Sequence, residues 1–530
     1  MQGSPTTRKP CPSSILRKHT RAALQIATWK AIKTKVQSSK TLLHHRTTNM
    51  SATPKHSLKC LLLKLDCHFT WNLQKENITV SDAEERIDDQ LEYLTMKSKV
   101  TLFNLLAYVK HLKGQNEEAL ESLKNAEERI QEDYPNEVEK RSLVTWGNYA
   151  WTYYHLDRLT EAQTYLDKVK ASCKKLQSPF LYKVELPEIE CEKGWSLLKF
   201  GGTYYEKAKA CFEKALESEP EHPEFNTGLA IVMYRMDDFE RDGHSSKSLS
   251  LNPLKKALRL DPKSTFVKVL LALKLQDVGE NSEGEKYIKE ALNQVESEPY
   301  VLRYAAKFYR REDQPERAIE LLKKALKLVP TSAFLHHQLG ACYRKQMIQI
   351  KKATRNKPRG KDKQDIDRLI QTAIFHFETA IRQKSLFVYC YLDLAGMYGE
   401  AGQLGKAENI FQKVLTIDHV REEEKQQAHF RYGRFLEFQR RDGELAMYHY
   451  LEGIKVKPRF CTVIVEALKN LALKRLNQNC LDAKSLGALG FIHKLNGEKK
   501  QAVEYYERAL KQDPKNSDYI SALLELRLSI

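Results

Sequence analysis

The 530-residue sequence has few turn-forming residues, with 22 glycines and 17 prolines. A chain that punctuates its backbone so rarely is predicted to be mostly helical. It also has no run of about eighteen apolar residues, which a membrane-spanning helix requires. We therefore expect a helical protein without a transmembrane segment.

Paired cysteines and catalytic motifs are absent as well. The ten cysteines form no CxxC pair, which argues against a zinc site or a disulfide framework and favours a reducing, cytoplasmic environment with buried thiols. The chain has no Walker A, HExxH or GxSxG sequence, and its sixteen histidines lack metal-ligand spacing. We predict a binding protein that is not an enzyme and needs no cofactor.

Acidic residues are missing from the first 49 positions, which contain ten lysines or arginines. An organellar transit peptide would have this composition, but the segment lacks a sustained amphipathic pattern and contains Pro5, Pro10 and Pro12. We favour a disordered or artefactual basic extension over residues 1–49, with Met50 as the functional start.

A repeated pattern runs through the remainder of the chain. Tetratricopeptide repeats place a small residue, a bulky residue four positions on, a second small residue at seven and often proline at twelve. Weaker copies begin at Ala119, Ala162, Ser250, Gly284, Ala373 and Ala407, and several are 34 residues apart. The complete matches are Ala208–Phe212–Ala215–Pro220, Ala318–Leu322–Ala325–Pro330, Ala446–Tyr450–Gly453–Pro458 and Ala502–Tyr506–Ala509–Pro514.

The predicted fold class is all-α, a tetratricopeptide-repeat superhelical solenoid whose inner surface is an extended groove. Intervals longer than 34 residues predict inserted non-repeat helices that close the groove into a basic central pocket. We expect three repeat subdomains after the extension, at residues 50–250, 251–440 with a basic insert at 345–367, and 441–530.

The repeat register predicts which side chains line the groove. In this class of repeat, positions 2, 5, 9, 12 and 13 of the first helix face inward. Counting back from Ala318 at position 20 places there Tyr300, Arg303, Lys307, Arg310 and Arg311. Similar counts direct Arg235, His337 and the adjacent Gln338 toward the same hollow.

Cations gathered in a partly desolvated hollow repel one another unless an anion joins them. An arginine guanidinium can donate two parallel hydrogen bonds to a phosphate, and aromatic side chains stack on the bases of single-stranded nucleic acid. An acidic peptide tail would use much of the same chemistry, and a basic helix face is often merely solvated. We favour phosphate over peptide from these residues.

Two other stretches carry weaker signals. In EKGWSLLKFGGTYYEKAKACF, Trp195 and Lys199 share a helix face and Tyr205 follows a glycine turn, although such a tryptophan is more often a core residue. The segment KKATRNKPRGKDK at 351–363 is predicted to be a loop with seven basic residues. Such a loop is usually only solvated, but near a basic groove it could contact phosphates nonspecifically.

Several long motifs resemble the interferon-induced proteins with tetratricopeptide repeats, from about Met50 to Ile530. They include CHFTWNL (67–73), NLLAYVKHLKGQNEEAL (104–120), RSLVTWGNYAW (141–151) and YVLRYAAKFYRR (300–311). Within the family, CHFTWNL, the 351–363 segment and the C-terminal ELRLSI look most similar to member 5. The resemblance implies a cytoplasmic, non-catalytic antiviral protein that holds the 5′-triphosphate end of single-stranded RNA.

The resemblance also implies roles for individual residues. The 5′ phosphates would contact Gln90, Lys199, Tyr205, Arg235, Tyr300, Arg303, His337 and Gln338. The RNA backbone or bases would contact Arg86, Lys97, Trp195, Lys307 and Arg310. Asp82 could act indirectly on a Mg²⁺ ion associated with the triphosphate, although Arg86 could replace the charge of that metal. Met96 could restrict what lies beyond the triphosphate.

The partners implied are 5′-triphosphate RNA, with 5′-monophosphate RNA and transfer RNA as further candidates, and family members or host proteins. A scaffold for acidic protein tails is the alternative function. A third reading, an RNA-processing enzyme, is disfavoured by the missing catalytic groups.

Overall fold

The computed structural model describes residues 54–74, 80, 83–84, 87, 91, 99–239, 249–294, 298–417, 420–458 and 461–529. The predicted extension at 1–49 lies outside these ranges, as do Asp82, Arg86, Gln90, Met96 and Lys97. Within the described ranges, the regular structure is helical throughout. None of the helices described combines the length and apolar character needed to cross a bilayer.

The described helices of the N-terminal half follow one another along the chain. Their bounds are α1 Pro54–Leu62, α2 Val100–Leu112, α3 Asn116–Asp133, α4 Val138–Arg141, α5 Leu143–His155, α6 Leu159–Lys175, α7 Pro187–Lys199, α8 Tyr205–Ser218, α9 Pro223–Phe239, α10 Leu251–Leu260, α11 Thr265–Asp277 and α12 Asn281–Gln294, with 3₁₀ turns at His68–Thr70 and Gly202–Tyr204.

The C-terminal half continues the same order. Its helices are α13 Pro299–Arg311, α14 Pro315–Leu328, α15 Ala333–Ala353, α16 Gly360–Gln383, α17 Val388–Glu400, α18 Leu404–Leu415, α19 Glu422–Phe435, α20 Gly443–Val456, α21 Thr462–Gln478, α22 Ala483–Leu495, α23 Lys499–Gln512 and α24 Ser517–Ser529, with a π turn at Leu436–Arg440. Neighbouring helices pack as successive hairpins, which confirms the predicted tetratricopeptide solenoid.

The repeat anchors occupy the places that their spacing predicts. Every small residue that opens a copy is buried, as are the bulky residue four positions on and the residue at seven, in weak and complete copies alike. In the copy that begins at Ala373, for example, Ala373, Phe377 and Ala380 are each 0% exposed. Each hairpin therefore closes on a small-large-small contact that needs a neighbouring helix to complete its burial.

Glycines let the facing helix accept these bulky residues. A β-carbon at Gly340 would lie 2.6 Å from the Phe377 ring, and one at Gly433 would lie 2.6 Å from the Tyr450 ring. Such distances are closer than carbon atoms approach without repulsion. The aromatic ring thus fills the space that the missing side chain leaves.

The residues by which some intervals exceed the 34-residue repeat lengthen certain helices and form additional ones. Helices α15 and α16 contain 21 and 24 residues, whereas α13 and α14 contain 13 and 14. The segment 351–363, predicted as a loop, is mostly the ends of α15 and α16, because the turn itself spans only residues 354–359. Helix α21 is a further helix between two repeat pairs, as the long interval before Ala502 predicts.

The described cysteines are buried, as expected, except Cys60 and Cys480, which are exposed. Buried side chains form a continuous hydrophobic cluster from Leu58 to Cys342 and a second from Ala333 to Ile492. The division into subdomains at residues 250 and 440 stays a prediction, because each repeat of a solenoid shares its core with the next.

Candidate functional site

Three of the predicted cations surround one buried phenol, that of Tyr304 in α13. Arg235, in α9, donates a hydrogen bond from Nη2 to the Tyr304 hydroxyl at 2.9 Å. The Arg303 guanidinium lies 4.8 Å from the centre of the Tyr304 ring, and the charge of Lys307 also acts on this phenol. We call Arg235, Tyr300, Arg303, Tyr304 and Lys307 the cationic cluster.

The electrostatics of the cluster are dominated by positive charge. Burial by itself would raise the pKa of Tyr304, but the charges of Arg235, Arg303 and Lys307 outweigh it and lower this pKa to about 8. The pKa of Arg235 is raised, chiefly by the Tyr304 phenol, while its burial acts in the opposite direction. The site therefore favours a negatively charged group.

Aromatic rings rather than carboxylates contact the Arg303 guanidinium. Its central carbon lies 4.9 Å from the centre of the Tyr300 ring and 4.6 Å from that of Phe334, distances at which a cation interacts with a π face. Among the described residues, no carboxylate oxygen lies within 4 Å of Arg235 or Arg303. These two arginines are thus held in place but not neutralised.

His337 belongs to a second, adjoining group that spans three helices. Its Nε2 lies 2.9 Å from Asp393 Oδ2 in α17, and Arg431 in α19 donates to Asp393 Oδ1 at 2.6 Å. Burial would raise the pKa of Asp393, but the hydrogen bond from His337 and the charge of Arg431 lower it to about 2. Gln338 Nε2 lies 3.3 Å from His337 Nδ1. Asp393 therefore orients the histidine.

Phe334 connects the two groups. One face of its ring meets Arg303, and its centre lies 6.5 Å from that of the His337 ring. Tyr205, at the start of α8, acts electrostatically on Arg235. Seven predicted residues from four helices are therefore associated: Tyr205, Arg235, Tyr300, Arg303, Lys307, His337 and Gln338.

Other predicted residues lie at the margins or have different neighbours. Lys199 is half-buried at the last position of α7, and Arg310 is half-buried with its charge beside the Cys342 thiol of α15. Trp195 is 8% exposed and packs edge-to-face on Phe212, with ring centres 5.3 Å apart. This contact fits the core reading of Trp195 as well as the ligand reading.

Arg311, predicted to face inward, instead forms an ion pair. Its Nη1 lies 3.0 Å from Asp277 Oδ1 in α11. The same aspartate lies 3.5 Å from Lys274, which is 2% exposed and also lies 3.3 Å from Asp237. The charge of Arg311 is thus offset by a buried network. A cavity of about 50 Å³ elsewhere, beside Arg141 and Glu192, is lined by none of the predicted residues.

Sequence reasoning missed Tyr304, Asp393 and Arg431. Tyr304 and Asp393 fall at position 6 of their repeats by the count from Ala318 and Ala407, one position beyond those predicted to face inward. Arg431 falls at position 5 by the count from Ala446, so the repeat rule could have found it. The repeat rule could not have found Tyr304 and Asp393, because it does not count position 6 among the inward-facing positions.

Comparison with known proteins supports the repeat assignment. The tetratricopeptide repeat matches residues 202–222 and 483–516, and the N-terminal repeat region of Psidin matches residues 242–354. Human "Antiviral innate immune response effector IFIT1" is 55% identical over 458 residues, which cover 86% of this chain and 96% of that protein.

Solved structures agree in fold and sequence. A monomeric mutant of IFIT1 with Gppp-AAAA has a TM-score of 0.79 and 54% identity, over 86% of this chain and all of the other. The human IFIT1 dimer with PPP-AAAA has a TM-score of 0.74 and 52% identity, over 86% and 99% of the two chains. The chain belongs to the interferon-induced proteins with tetratricopeptide repeats.

Proposed function

We propose that this chain binds the 5′-triphosphate end of single-stranded RNA without catalysing a reaction, and thereby restricts viral RNA. The observation that carries the proposal is the cationic cluster, in which Arg235 and Arg303 converge on Tyr304 without a carboxylate partner among the described residues. A triphosphate would supply the missing negative charge. Solved structures of a relative with PPP-AAAA and Gppp-AAAA support this choice of ligand.

The test is the charge reversal Arg303→Glu. Replacing a half-buried cation by an anion should weaken binding of 5′-triphosphate RNA by about 30-fold or more, measured by fluorescence anisotropy. Arg508→Glu is the matched control, because Arg508 also lies over a tyrosine, 5.3 Å from the Tyr505 ring, but in the distant helix α23. Retained affinity in Arg303→Glu with an intact helical circular dichroism spectrum would overturn the proposal.

A competition experiment separates RNA from the acidic-tail alternative. Unlabelled 5′-triphosphate RNA should displace the labelled RNA, whereas RNA with a 5′-hydroxyl and an acidic peptide should compete poorly. Equal competition by the peptide would favour the protein scaffold.

Finer assignments stay proposals. We infer a cytoplasmic location because the cysteines form no CxxC pair. We infer the Mg²⁺ ion from Asp82, which lies outside the described residues. Similarity to member 5 rests on three short segments, and the relative reported above is member 1. Binding measured with and without a chelator would test the metal.

A further inference from the structure

Helices α15 and α16 extend well beyond the repeat pair before them. Helix α15 has eight residues more than α13, and α16 has ten more than α14, which lengthens them by roughly 12 Å and roughly 15 Å at 1.5 Å per residue. The turn at residues 354–359 therefore lies at the end of a projecting helical hairpin. We call residues 351–363 the basic tip.

Among the described residues, most cations of the basic tip form no ion pair, and the tip contains one acidic residue, Asp362. Its exposed cations include Arg355, Lys357, Arg359, Lys361 and Lys363. In the described part of the chain, none of these five has a carboxylate oxygen within 4 Å. Lys351 differs, since it forms an ion pair with Glu400.

The backbone of the turn is ordered by its own hydrogen bonds. Arg355 N donates to Lys352 O at 3.0 Å, Asn356 N to Lys351 O at 2.7 Å, and Lys357 N to Thr354 O at 2.9 Å. Arg355 and Asn356 both adopt left-handed conformations, with φ of 48° and 59°. The cations thus project from a defined turn, so that less conformational entropy is lost when they bind.

The helix that ends in the basic tip begins at the candidate site. His337 and Gln338 lie in the first turns of α15, about 14 residues and roughly 21 Å along the axis from Lys351. Between them, Arg310 of α13 approaches α15 at Cys342. Positive charge therefore continues from the cationic cluster toward the tip.

The composition of the tip favours a nucleic-acid backbone as its ligand. Residues 354–364, TRNKPRGKDKQ, include no aromatic or aliphatic side chain except proline. A membrane-binding segment inserts apolar residues, and protein interfaces are anchored by buried aromatic groups. An excess of lysine and arginine over the single acid Asp362, with no apolar anchor, suits phosphodiesters.

We propose that the basic tip binds the phosphate backbone of the same RNA, downstream of the 5′ end held by the cationic cluster. This inference rests on the proposed function. It assigns to the projecting α15–α16 hairpin a sequence-independent contact that only RNA long enough to reach it can make. Affinity should therefore increase with RNA length, and part of its salt dependence should belong to the tip.

The test compares a 5′-triphosphorylated tetranucleotide with a single-stranded RNA about five times longer. The tip variant removes four charges, by Lys357→Gln, Arg359→Gln, Lys361→Gln and Lys363→Gln. The matched control removes four exposed, unpaired charges from the C-terminal helices, by Lys469→Gln, Lys474→Gln, Lys500→Gln and Lys511→Gln. Affinity is measured for all three proteins over a salt series.

The tip variant should bind the tetranucleotide as the unmodified protein does, but should lose most of the gain for the longer RNA. The slope of log affinity against log salt should fall by up to roughly 0.7 for each charge removed, for the longer RNA only. Equal behaviour of tip variant and control would overturn the inference while the proposed function stands. Failure of the unmodified protein to bind the tetranucleotide would overturn the proposed function and the inference together.

Discussion

At the scale of single residues, the site is organised by two hydrogen-bonding groups that each contact more than one predicted residue or cation. Tyr304 brings Arg235 of α9 and Arg303 of its own helix to one hydroxyl. Asp393 orients His337 through one carboxylate oxygen and accepts a hydrogen bond from Arg431 at the other. Tyr304 is buried and Asp393 is half-buried, and each contacts predicted ligand-binding residues, so their role is to position other groups.

Asp393→Asn should weaken 5′-triphosphate RNA binding by about tenfold, the cost of one hydrogen bond to a charged group. The amide keeps the shape but removes the charge that orients His337 and offsets Arg431. Fluorescence anisotropy measures the loss. Asp313→Asn is the control, because its ion pair with Lys345 lies at an exposed turn. Unchanged affinity in Asp393→Asn would show that His337 needs no such support.

At the scale of the secondary-structure elements, the hairpins depend on how closely two helices approach. Helix α15 packs against α16 where Gly340 meets Phe377, and α19 packs against α20 where Gly433 meets Tyr450. In both pairs, one helix contributes an aromatic ring and the other contributes a glycine, whose missing side chain leaves room for that ring. These contacts set the register that turns inner positions toward one surface.

Gly340→Ala should lower the free energy of unfolding by about 1–3 kcal/mol, because the added carbon overlaps the Phe377 ring. Gly396→Ala is the matched control. It adds the same carbon within helix α17, where nothing lies within 4 Å, and should stabilise by about 0.5–1 kcal/mol. Urea unfolding measures both. Destabilisation of equal size in the two variants would contradict the packing explanation.

At the scale of the whole molecule, buried histidines make stability depend on pH. Burial lowers the pKa of His68 to about 3, and it lowers those of the half-buried His376 and the buried His449 to about 4. His376 and His449 each face another histidine, His336 and His429, with Nδ1 atoms 2.9 and 3.0 Å apart. One nitrogen of each pair must stay unprotonated to accept the hydrogen bond.

Stability should be fully developed above about pH 6.5, the pKa of histidine in an unfolded chain. It should fall as pH decreases toward 4, because the unfolded chain then binds protons that the folded one does not. Thermal unfolding at pH 7.5 and pH 5 measures the change. Asp393 adds little to the change between pH 7.5 and pH 5, because its folded pKa of about 2 and the unfolded value of about 3.9 both lie below that range.

The double variant His376→Asn and His449→Asn should show a smaller loss between the two pH values, since it removes two of the titrating groups. A protein equally stable at both values would contradict the assignment of these histidines as neutral when folded.

The sequence by itself determined the repeat array, because the small and bulky anchors of each hairpin are close in sequence and recur with one period. It also predicted that Arg235, Tyr300, Arg303, Lys307 and His337 share one surface, since helical periodicity decides which side chains lie on the same face. Only the tertiary structure decided that Tyr304 and Asp393 join them and that Arg311 is neutralised by Asp277. Those contacts join helices distant in sequence, and their geometry depends on how each repeat is rotated against the next.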